Sequence, residues 1–317
     1  MRIRLGYVAL SMSLNNITTS STITYTNYQK LDDKLKKYKL DEIIKSNFFD
    51  LEKILKYNIK NNIHFYRLTS KFIPLSTLID FDYINKYKVS YQRIGNIINN
   101  SKMRVDTHPD QYCVLNSVNK NIVDNSISIL NYHKNMLCAM KIKNPKVILH
   151  IGSSNFGKDK SITRFINNFN LLDDEIKKML LIENDDKIYN IIDTLNLCNK
   201  INVPMVLDYH HYMCNNNGEK INDYIKQIFD TWNNEKIIPK IHFSSPKNKT
   251  KKDIRSHHDY INSDDFIDFI EKIKFINRDF DVMIEAKMKD EALFRLVREL
   301  KYKTDYKFVD ETTFIVD

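Results

Sequence analysis

Short apolar runs rich in β-branched residues alternate along the chain with longer amphipathic segments. The runs are bounded by polar turns, which is typical of buried strands. They predict strands at residues 3–10, 64–68, 103–107, 147–151, 179–182, 204–207, 240–243 and 281–284. The amphipathic segments carry apolar residues at i, i+3 and i+4 and predict helices at residues 41–60, 124–140, 187–199, 222–232 and 264–276. We expect Ser161 and Ser263 to act as helix N-caps.

This alternation predicts a parallel sheet covered by helices, and eight strands predict an α/β fold, the (β/α)8 TIM barrel. The alternative is an open doubly wound sheet, which normally has a glycine-rich phosphate turn after its first strand. Here residues 11–16 follow the first strand without a glycine, so we favour the barrel and expect no nucleotide cofactor. Because no linker or repeat divides the chain, we expect residues 1–317 to form a single domain.

Composition excludes several classes of protein. Hydrophobic residues make up 42% of the 317 residues, enough for a large core and too many for intrinsic disorder. No apolar run approaches the ~18 residues needed to cross a bilayer, and the polar start does not resemble a signal peptide. The four scattered cysteines fit reduced thiols, so we expect a cytoplasmic protein that does not bind membranes.

The formal net charge of +9 raises the question of nucleic-acid binding. The chain is also crowded with Lys, Asn and Ile and has only 5 Gly, which an AT-rich coding bias would produce without any selection for DNA. Charge alone therefore leaves both explanations open.

Polar residues cluster at the predicted carboxyl ends of the strands, where catalytic groups of such barrels lie. Seven of the nine histidines lie at or just beyond these ends, together with Glu183, Asp208 and Glu285. One such histidine would most simply be structural, but so many converging imidazoles and carboxylates need compensating charge. Mixed His and carboxylate ligands suit Mn, Zn or Fe. Several ions close together would suit phosphoryl hydrolysis, whereas a sugar isomerase would use a similar site for a hydride shift.

The motifs resemble those of the UV damage endonuclease family over nearly the whole chain. They include Thr107-His108-Pro109-Asp110-Gln111-Tyr112 and Ile284-Glu285-Ala286-Lys287. The other matching stretches are residues 5–8, 12–14, 65–70, 150–152, 181–186, 208–211, 240–246 and 255–260.

This resemblance implies a barrel related to endonuclease IV and xylose isomerase that binds two or three divalent ions, Mn²⁺ preferred and Zn²⁺ or Mg²⁺ as alternatives. It implies incision of damaged double-stranded DNA immediately 5′ of cyclobutane pyrimidine dimers, 6-4 photoproducts and, in some members, abasic sites, leaving a 3′ hydroxyl and a 5′ phosphate. Carried over by motif, the metal ligands are His108, His150, Glu183, Asp208, His211, His242, His257 and Glu285. The expected catalytic residues are Glu183, Lys240, His242 and Glu285. We expect the protein to act as a monomer.

Two ligand positions have neighbouring alternatives. Strand alternation puts His210 on the same face as Asp208, whereas the family pattern selects His211, which requires the chain to turn after the strand. The family pattern likewise selects His257 over His258.

Lys240 should share the inner face of its strand with His242. It either balances the carboxylates or becomes carbamylated and bridges two metals. Lys287 is expected to contact phosphate.

The remaining candidates concern DNA. Gln111 and Tyr112 follow a ligand and are expected to wedge into the base stack at a lesion. We expect Tyr7 to line the lesion pocket and Arg67 to hold a phosphate. The cations of residues 245–257 suggest a DNA track and are Lys247, Lys249, Lys251, Lys252 and Arg255. The rival functions are an abasic-site endonuclease, a sugar isomerase or epimerase of the same superfamily, and a catalytically silent DNA-binding barrel.

Overall fold

Eight parallel strands form the centre of the fold. They are β1 (Arg2–Val8), β2 (Phe65–Leu68), β3 (Arg104–Thr107), β4 (Val147–His150), β5 (Leu180–Glu183), β6 (Met205–Asp208), β7 (Lys240–Phe243) and β8 (Phe280–Ile284). Each lies within two residues of its predicted bounds. The computed structural model describes residues 1–248, 250 and 253–317.

The strands pair in chain order and close into a barrel. Closure occurs at β1, which pairs with β8 on one side, Ile3 opposite Phe280, and with β2 on the other, Tyr7 opposite Tyr66. The prediction of a closed (β/α)8 barrel is therefore confirmed, and the open sheet is excluded.

Helices cover the outside of the barrel. They are α1 (Tyr25–Gln29), α2 (Asp33–Lys60), α3 (Tyr83–Lys86), α4 (Lys88–Asn100), α5 (Lys120–Ala139), α6 (Lys158–Asn170), α7 (Asp174–Met179), α8 (Ile191–Ile201), α9 (Tyr209–Cys214), α10 (Ile221–Asp230), α11 (Ser263–Ile273) and α12 (Lys289–Lys303), with a 3₁₀ turn at Lys274–Ile276. Helix α2 begins earlier than predicted because Asp32 caps it. The predicted N-caps Ser161 and Ser263 are wrong: both lie inside helices whose caps are Gly157 and Asn262.

A hairpin follows the last helix. Its strands are β9 (Lys307–Phe308) and β10 (Thr313–Ile315), and β10 pairs antiparallel with the beginning of β1, Arg2 opposite Ile315. The C-terminal segment thus covers the part of β1 that β2 leaves unpaired. Among the described residues, none of the helices has the length and apolarity needed to cross a bilayer.

Side-chain alternation divides the core into two regions. Outward residues such as Ile3, Leu5 and Leu149 pack against the helices in one large cluster. A small inner cluster consists of Ile148, Leu181, Val206 and Trp232. Because successive residues of a strand face opposite sides, residues two positions after the inner apolar ones also point inward. These residues are His150, Glu183 and Asp208. The apolar floor of the barrel therefore lies directly beneath polar side chains at the carboxyl ends.

Candidate active site

Glu183 lies at the centre of the polar cluster. The side chain is buried, and its two oxygens face different histidines. Oε1 lies 2.8 Å from His242 Nδ1, and Oε2 lies 2.9 Å from His108 Nε2. His150 Nε2 lies 3.8 Å from Oε2. One carboxylate thus faces ligand-type atoms from three other strands or the residues after them, β3, β4 and β7.

Two groups of side chains have ligand atoms close enough to hold a metal ion. One is His108, His150 and Glu183; the other is Glu183, Asp208 and His242. In each group the ligand atoms all lie within 4.8 Å of one another. Because Glu183 belongs to both groups, its carboxylate would contribute to either site if ions were bound, and a pair of ions would supply the chemistry of two-metal hydrolysis.

Strand β6 ends at Asp208, and α9 begins immediately after it. Asp208 Oδ1 accepts a hydrogen bond of 2.7 Å from the backbone N–H of His211 and so caps the helix. This turn brings His211 Nδ1 to 3.5 Å from Glu183 Oε1 and 3.6 Å from Asp208 Oδ2. The ring of His210 instead packs against that of His257, 5.6 Å between centroids. Strand alternation would place His210 beside Asp208, but the strand ends at Asp208, two residues before His210, so His211 is the residue that faces Glu183 and Asp208.

The far side of the cluster is formed by Glu285. Its Oε1 lies 3.3 Å from His242 Nδ1, and its Oε2 lies 3.9 Å from His257 Nδ1. His258 is exposed, and its Nδ1 accepts a 3.0 Å hydrogen bond from the backbone N–H of Tyr260. Of the two adjacent histidines, His257 therefore faces the cluster.

Arg67 lies inside the cluster and not at its rim. The side chain is buried, Nη1 donates to Glu285 Oε1 at 2.6 Å, and Nη2 donates to His242 Nε2 at 2.6 Å. Its positive charge offsets the effect of burial and holds the pKa of Glu285 well below its usual range. The expected contact with a DNA phosphate would require Arg67 to leave these partners.

Lys240 points inward, as expected, and is fully buried. Its Nζ donates to Asp106 Oδ2 at 2.6 Å, and neither side chain is exposed. Burial lowers the pKa of Lys240 to about 8 despite this partner. The ion pair corresponds to the charge-balancing role expected for Lys240.

Tyr7 does not line the mouth. It is fully buried, and its hydroxyl donates to Asn58 Oδ1 of α2 at 2.7 Å. Because Tyr7 has an odd position in β1, like Ile3 and Leu5, it faces the helices and not the barrel interior. The assignment of Tyr7 to a lesion pocket is therefore wrong.

The charges and unpartnered atoms of the cluster fit bound cations. Asp208 Oδ2 and His150 Nδ1 are buried and have no hydrogen-bond partner among the described residues. Burial raises the pKa of Asp208 to about 7, although His211 opposes this shift. Burial also lowers the pKa of His108 to about 4, while nearby carboxylates raise that of His211 to about 9 against its burial. The neutral imidazole of His108 and the carboxylates beside it suit Mn²⁺ or Zn²⁺, and a cation bound here would replace the proton that His211 holds.

Three of the residues expected to contact DNA lie in loops after the strands and are exposed. Gln111 and Tyr112 lie exposed after β3, Tyr112 with 67% of its surface accessible. Lys287 is half exposed, 3.7 Å from Asp259 Oδ1. Among the cations of residues 245–257, which were expected to form a DNA track, Lys247 lies 4.0 Å from Asp253 and Arg255 lies 3.4 Å from Asp186. Lys249, Lys251 and Lys252 lie outside the described residues.

Two polar residues at the mouth were not predicted. Asp106 is the buried partner of Lys240, and Asn184 exchanges two hydrogen bonds with the backbone of Asp208, at 3.0 and 2.9 Å. Asp106 precedes His108 by two positions, so strand alternation could have identified it. Asn184 carried no such signal because its role depends on contact with a neighbouring strand.

Comparison with known proteins agrees with this geometry. The family model of UV-endonuclease UvdE matches residues 3–313. The UV DNA damage endonuclease of Bacillus cereus (strain 03BB102) is 38% identical over 316 residues, 99% of each chain. The crystal structure of SacUVDE superposes with a TM-score of 0.84 at 33% identity, covering 95% of this chain and 98% of that one. Endonuclease IV from Thermus thermophilus shares the fold, with a TM-score of 0.56, 12% identity and coverage of 95% and 100%. The chain belongs to the UV-endonuclease UvdE family.

Proposed function

We propose that this protein is a metal-dependent endonuclease that nicks DNA immediately 5′ of UV photolesions. The substrates are cyclobutane pyrimidine dimers, 6-4 photoproducts and abasic sites in duplex DNA, and the products carry a 3′ hydroxyl and a 5′ phosphate. The observation that supports this best is the pair of ligand groups that share Glu183 at the barrel mouth. Residues 1–317 act as a monomer with no nucleotide cofactor.

The ligands in this proposal come from six strands or the residues after them. They are His108, His150, Glu183, Asp208, His211, His242, His257 and Glu285. Bound Mn²⁺, or alternatively Zn²⁺ or Mg²⁺, would lower the pKa of water and neutralise charge on the leaving oxygen. Glu183, His242 and Glu285 are the catalytic residues of this proposal, Arg67 balances the charge of Glu285, and Lys240 balances that of the neighbouring Asp106.

The lesion is recognised by distortion and not by sequence. Damaged bases are poorly stacked, which lowers the cost of moving them out of the helix. Tyr112 and Gln111, exposed beside His108, insert into the gap that the lesion leaves. Lys287, at the opposite side of the mouth, contacts a backbone phosphate.

The test is a nicking assay on supercoiled plasmid, either UV-irradiated, depurinated or untreated, with Mn²⁺ or with EDTA. We expect nicking of irradiated plasmid that requires Mn²⁺ and leaves untreated plasmid intact. Glu183→Gln keeps the size of the side chain, removes the bridging charge and should abolish nicking. Equal nicking of irradiated and untreated plasmid, or full activity in EDTA, contradicts the proposal. Nicking of depurinated plasmid alone identifies an abasic-site endonuclease instead.

A further inference from the structure

An exposed aromatic side chain lies in the loop between β4 and α6, at the carboxyl end of the barrel. This residue, Phe156, follows the candidate ligand His150 in the chain, and 76% of its surface is accessible. Among the residues that the structure describes, Phe156 and Tyr112 are the exposed aromatic residues in loops that connect a barrel strand to the next helix. Because β3 and β4 are neighbours in the barrel, these two loops are adjacent.

The backbone of Phe156 is strained. A 2.9 Å hydrogen bond from the N–H of Gly157 to the carbonyl of Ser154 closes a turn in which Phe156 has the third position. Its φ is +66°, which the β-carbon of a bulky side chain disfavours and which Gly or Asn normally adopts at this position. The turn is open to solvent, since a Cβ added to Gly157 would meet no atom within 4 Å. The exposed ring of Phe156 therefore gains little packing that would offset the strain.

A hydrogen-bond network holds the turn in this conformation. The carbonyl of Asn155 accepts a 2.6 Å hydrogen bond from Arg164 Nη2 of α6. The same guanidinium donates through Nε, at 3.0 Å, to the carbonyl of Asn116 in the loop after β3. The buried side chain of Asn116 accepts from the N–H of Ser153 at 2.9 Å and donates to its carbonyl at 2.6 Å. The two loops that carry the exposed aromatic residues are thus fixed against each other.

We propose that Phe156 stacks on an unstacked base of damaged DNA and is a second aromatic contact beside Tyr112. This inference rests on the proposed function. Single exposed apolar residues are common on protein surfaces, but strain that the surrounding structure enforces is concentrated at functional sites. An aromatic ring stacks on any base, which suits an enzyme that reads distortion and not sequence. Because its turn is fixed before DNA binds, Phe156 loses little conformational freedom on contact.

The test measures binding of the full chain, with Mn²⁺, to a duplex that carries a cyclobutane dimer and a non-hydrolysable linkage 5′ of it. Fluorescence anisotropy gives the affinity. Phe156→Ala should weaken binding about ten-fold, as expected for the loss of one stacked base, and Phe156→Tyr should retain it. The matched control is Phe275→Ala in the 3₁₀ turn before β8, at the opposite end of the barrel, where Phe275 is 56% exposed. This control should leave the affinity unchanged.

Phe156→Gly separates stacking from a structural role. Glycine adopts a positive φ without strain, so this variant should unfold at a higher urea concentration and still bind the damaged duplex about ten-fold more weakly. Unfolding at a lower urea concentration would show that the ring stabilises the fold, and would overturn the proposal.

The failure of this inference is distinguishable from that of the proposed function. If the unchanged chain nicks irradiated plasmid but Phe156→Ala binds the damaged duplex as tightly as Phe275→Ala does, only the role of Phe156 is overturned. If the unchanged chain neither prefers nor nicks irradiated DNA, both proposals are overturned.

Discussion

Lys240 and Asp106 form an ion pair whose two side chains are fully inaccessible to solvent. Taking two charges out of water is expensive, and their attraction repays the cost only while both are present. Arg67 Nε lies 3.8 Å from Asp106 Oδ1, so Arg67 offsets only part of the negative charge of Asp106. The pair should therefore be sensitive to loss of one partner.

Lys240→Met is expected to lower the free energy of unfolding by about 3 kcal/mol, because it leaves Asp106 buried with one fewer partner. Lys240→Met combined with Asp106→Leu removes both charges and should recover most of this loss. Urea unfolding followed by circular dichroism measures the free energy of unfolding of the single and the double variant. Equal destabilisation by the single and double variants would show that volume and not charge decides.

Tyr112 is a large aromatic side chain that the fold leaves exposed. Tyr112→Ala should reduce the ratio of affinities for UV-damaged and intact duplex by about ten-fold, since stacking on one base contributes ~1–3 kcal/mol. Fluorescence anisotropy with a dimer-containing duplex measures this ratio.

The control for this variant is Tyr38→Ala on α2, because Tyr38 is exposed to a similar extent, 66% against 67%. Both variants should bind as much Mn²⁺ as the unchanged protein. Unaltered discrimination by Tyr112→Ala would exclude a role for this side chain in reading damage.

At the scale of elements, the loops after the strands decide where the mouth residues point. The turn after β4 contains Gly152, whose φ is +108°, a conformation that side chains rarely adopt. A Cβ here would come within 2.6 Å of Asn116 Oδ1 and 2.8 Å of Val114 Cγ1. Gly152 therefore holds the segment after His150 against the neighbouring loop.

Gly152→Ala should lower the free energy of unfolding by about 2 kcal/mol more than Gly218→Ala. Gly218 has a similar φ of +97° but no atom within 4 Å of the added Cβ, so it isolates backbone strain from steric overlap. Thermal and urea unfolding of the two variants provide the comparison. If both lose the same stability, the contact with Asn116 is accommodated without cost.

At the scale of the whole molecule, acid stability depends on groups that folding keeps neutral. His133 on α5 is buried, and burial lowers its pKa from 6.5 to about 3. The unfolded chain therefore binds a proton more readily than the folded one. The contribution of His133 to stability is complete above pH 6.5 and is lost progressively as the pH falls from there towards 3.

Between pH 7.5 and pH 5, His133 should account for a loss of about 2 kcal/mol of unfolding free energy. His133→Leu removes this proton uptake, so its stability should fall by that much less over the same interval. Urea unfolding at the two pH values measures the difference. Titration of the His133 ring by NMR is an independent check, and protonation of the folded protein near pH 6.5 would contradict the prediction.

The amino-acid sequence by itself determined the barrel and the position of its polar mouth. Short apolar runs rich in β-branched residues indicate strands from local sequence alone, and eight of them separated by helical segments leave few arrangements besides a closed barrel. The ends of these runs place His150, Glu183 and Asp208 at the mouth, and the alternation of side chains along each strand is consistent with their position above the apolar floor. These conclusions need no knowledge of which strands are neighbours.

Only the tertiary structure decided which side chains meet. Lys240 contacts Asp106, Arg67 contacts Glu285, and Arg104 shares Asp281 with Arg4, all across strands far apart in sequence. Periodicity assigns a face but not a partner, because the partner depends on register and barrel closure. The burial of Tyr7 and the helical turn after Asp208 likewise depend on the packing of α2 and α9. Local sequence determines toward which side of a strand each side chain points. The contacts between side chains of different strands arise only when the barrel closes.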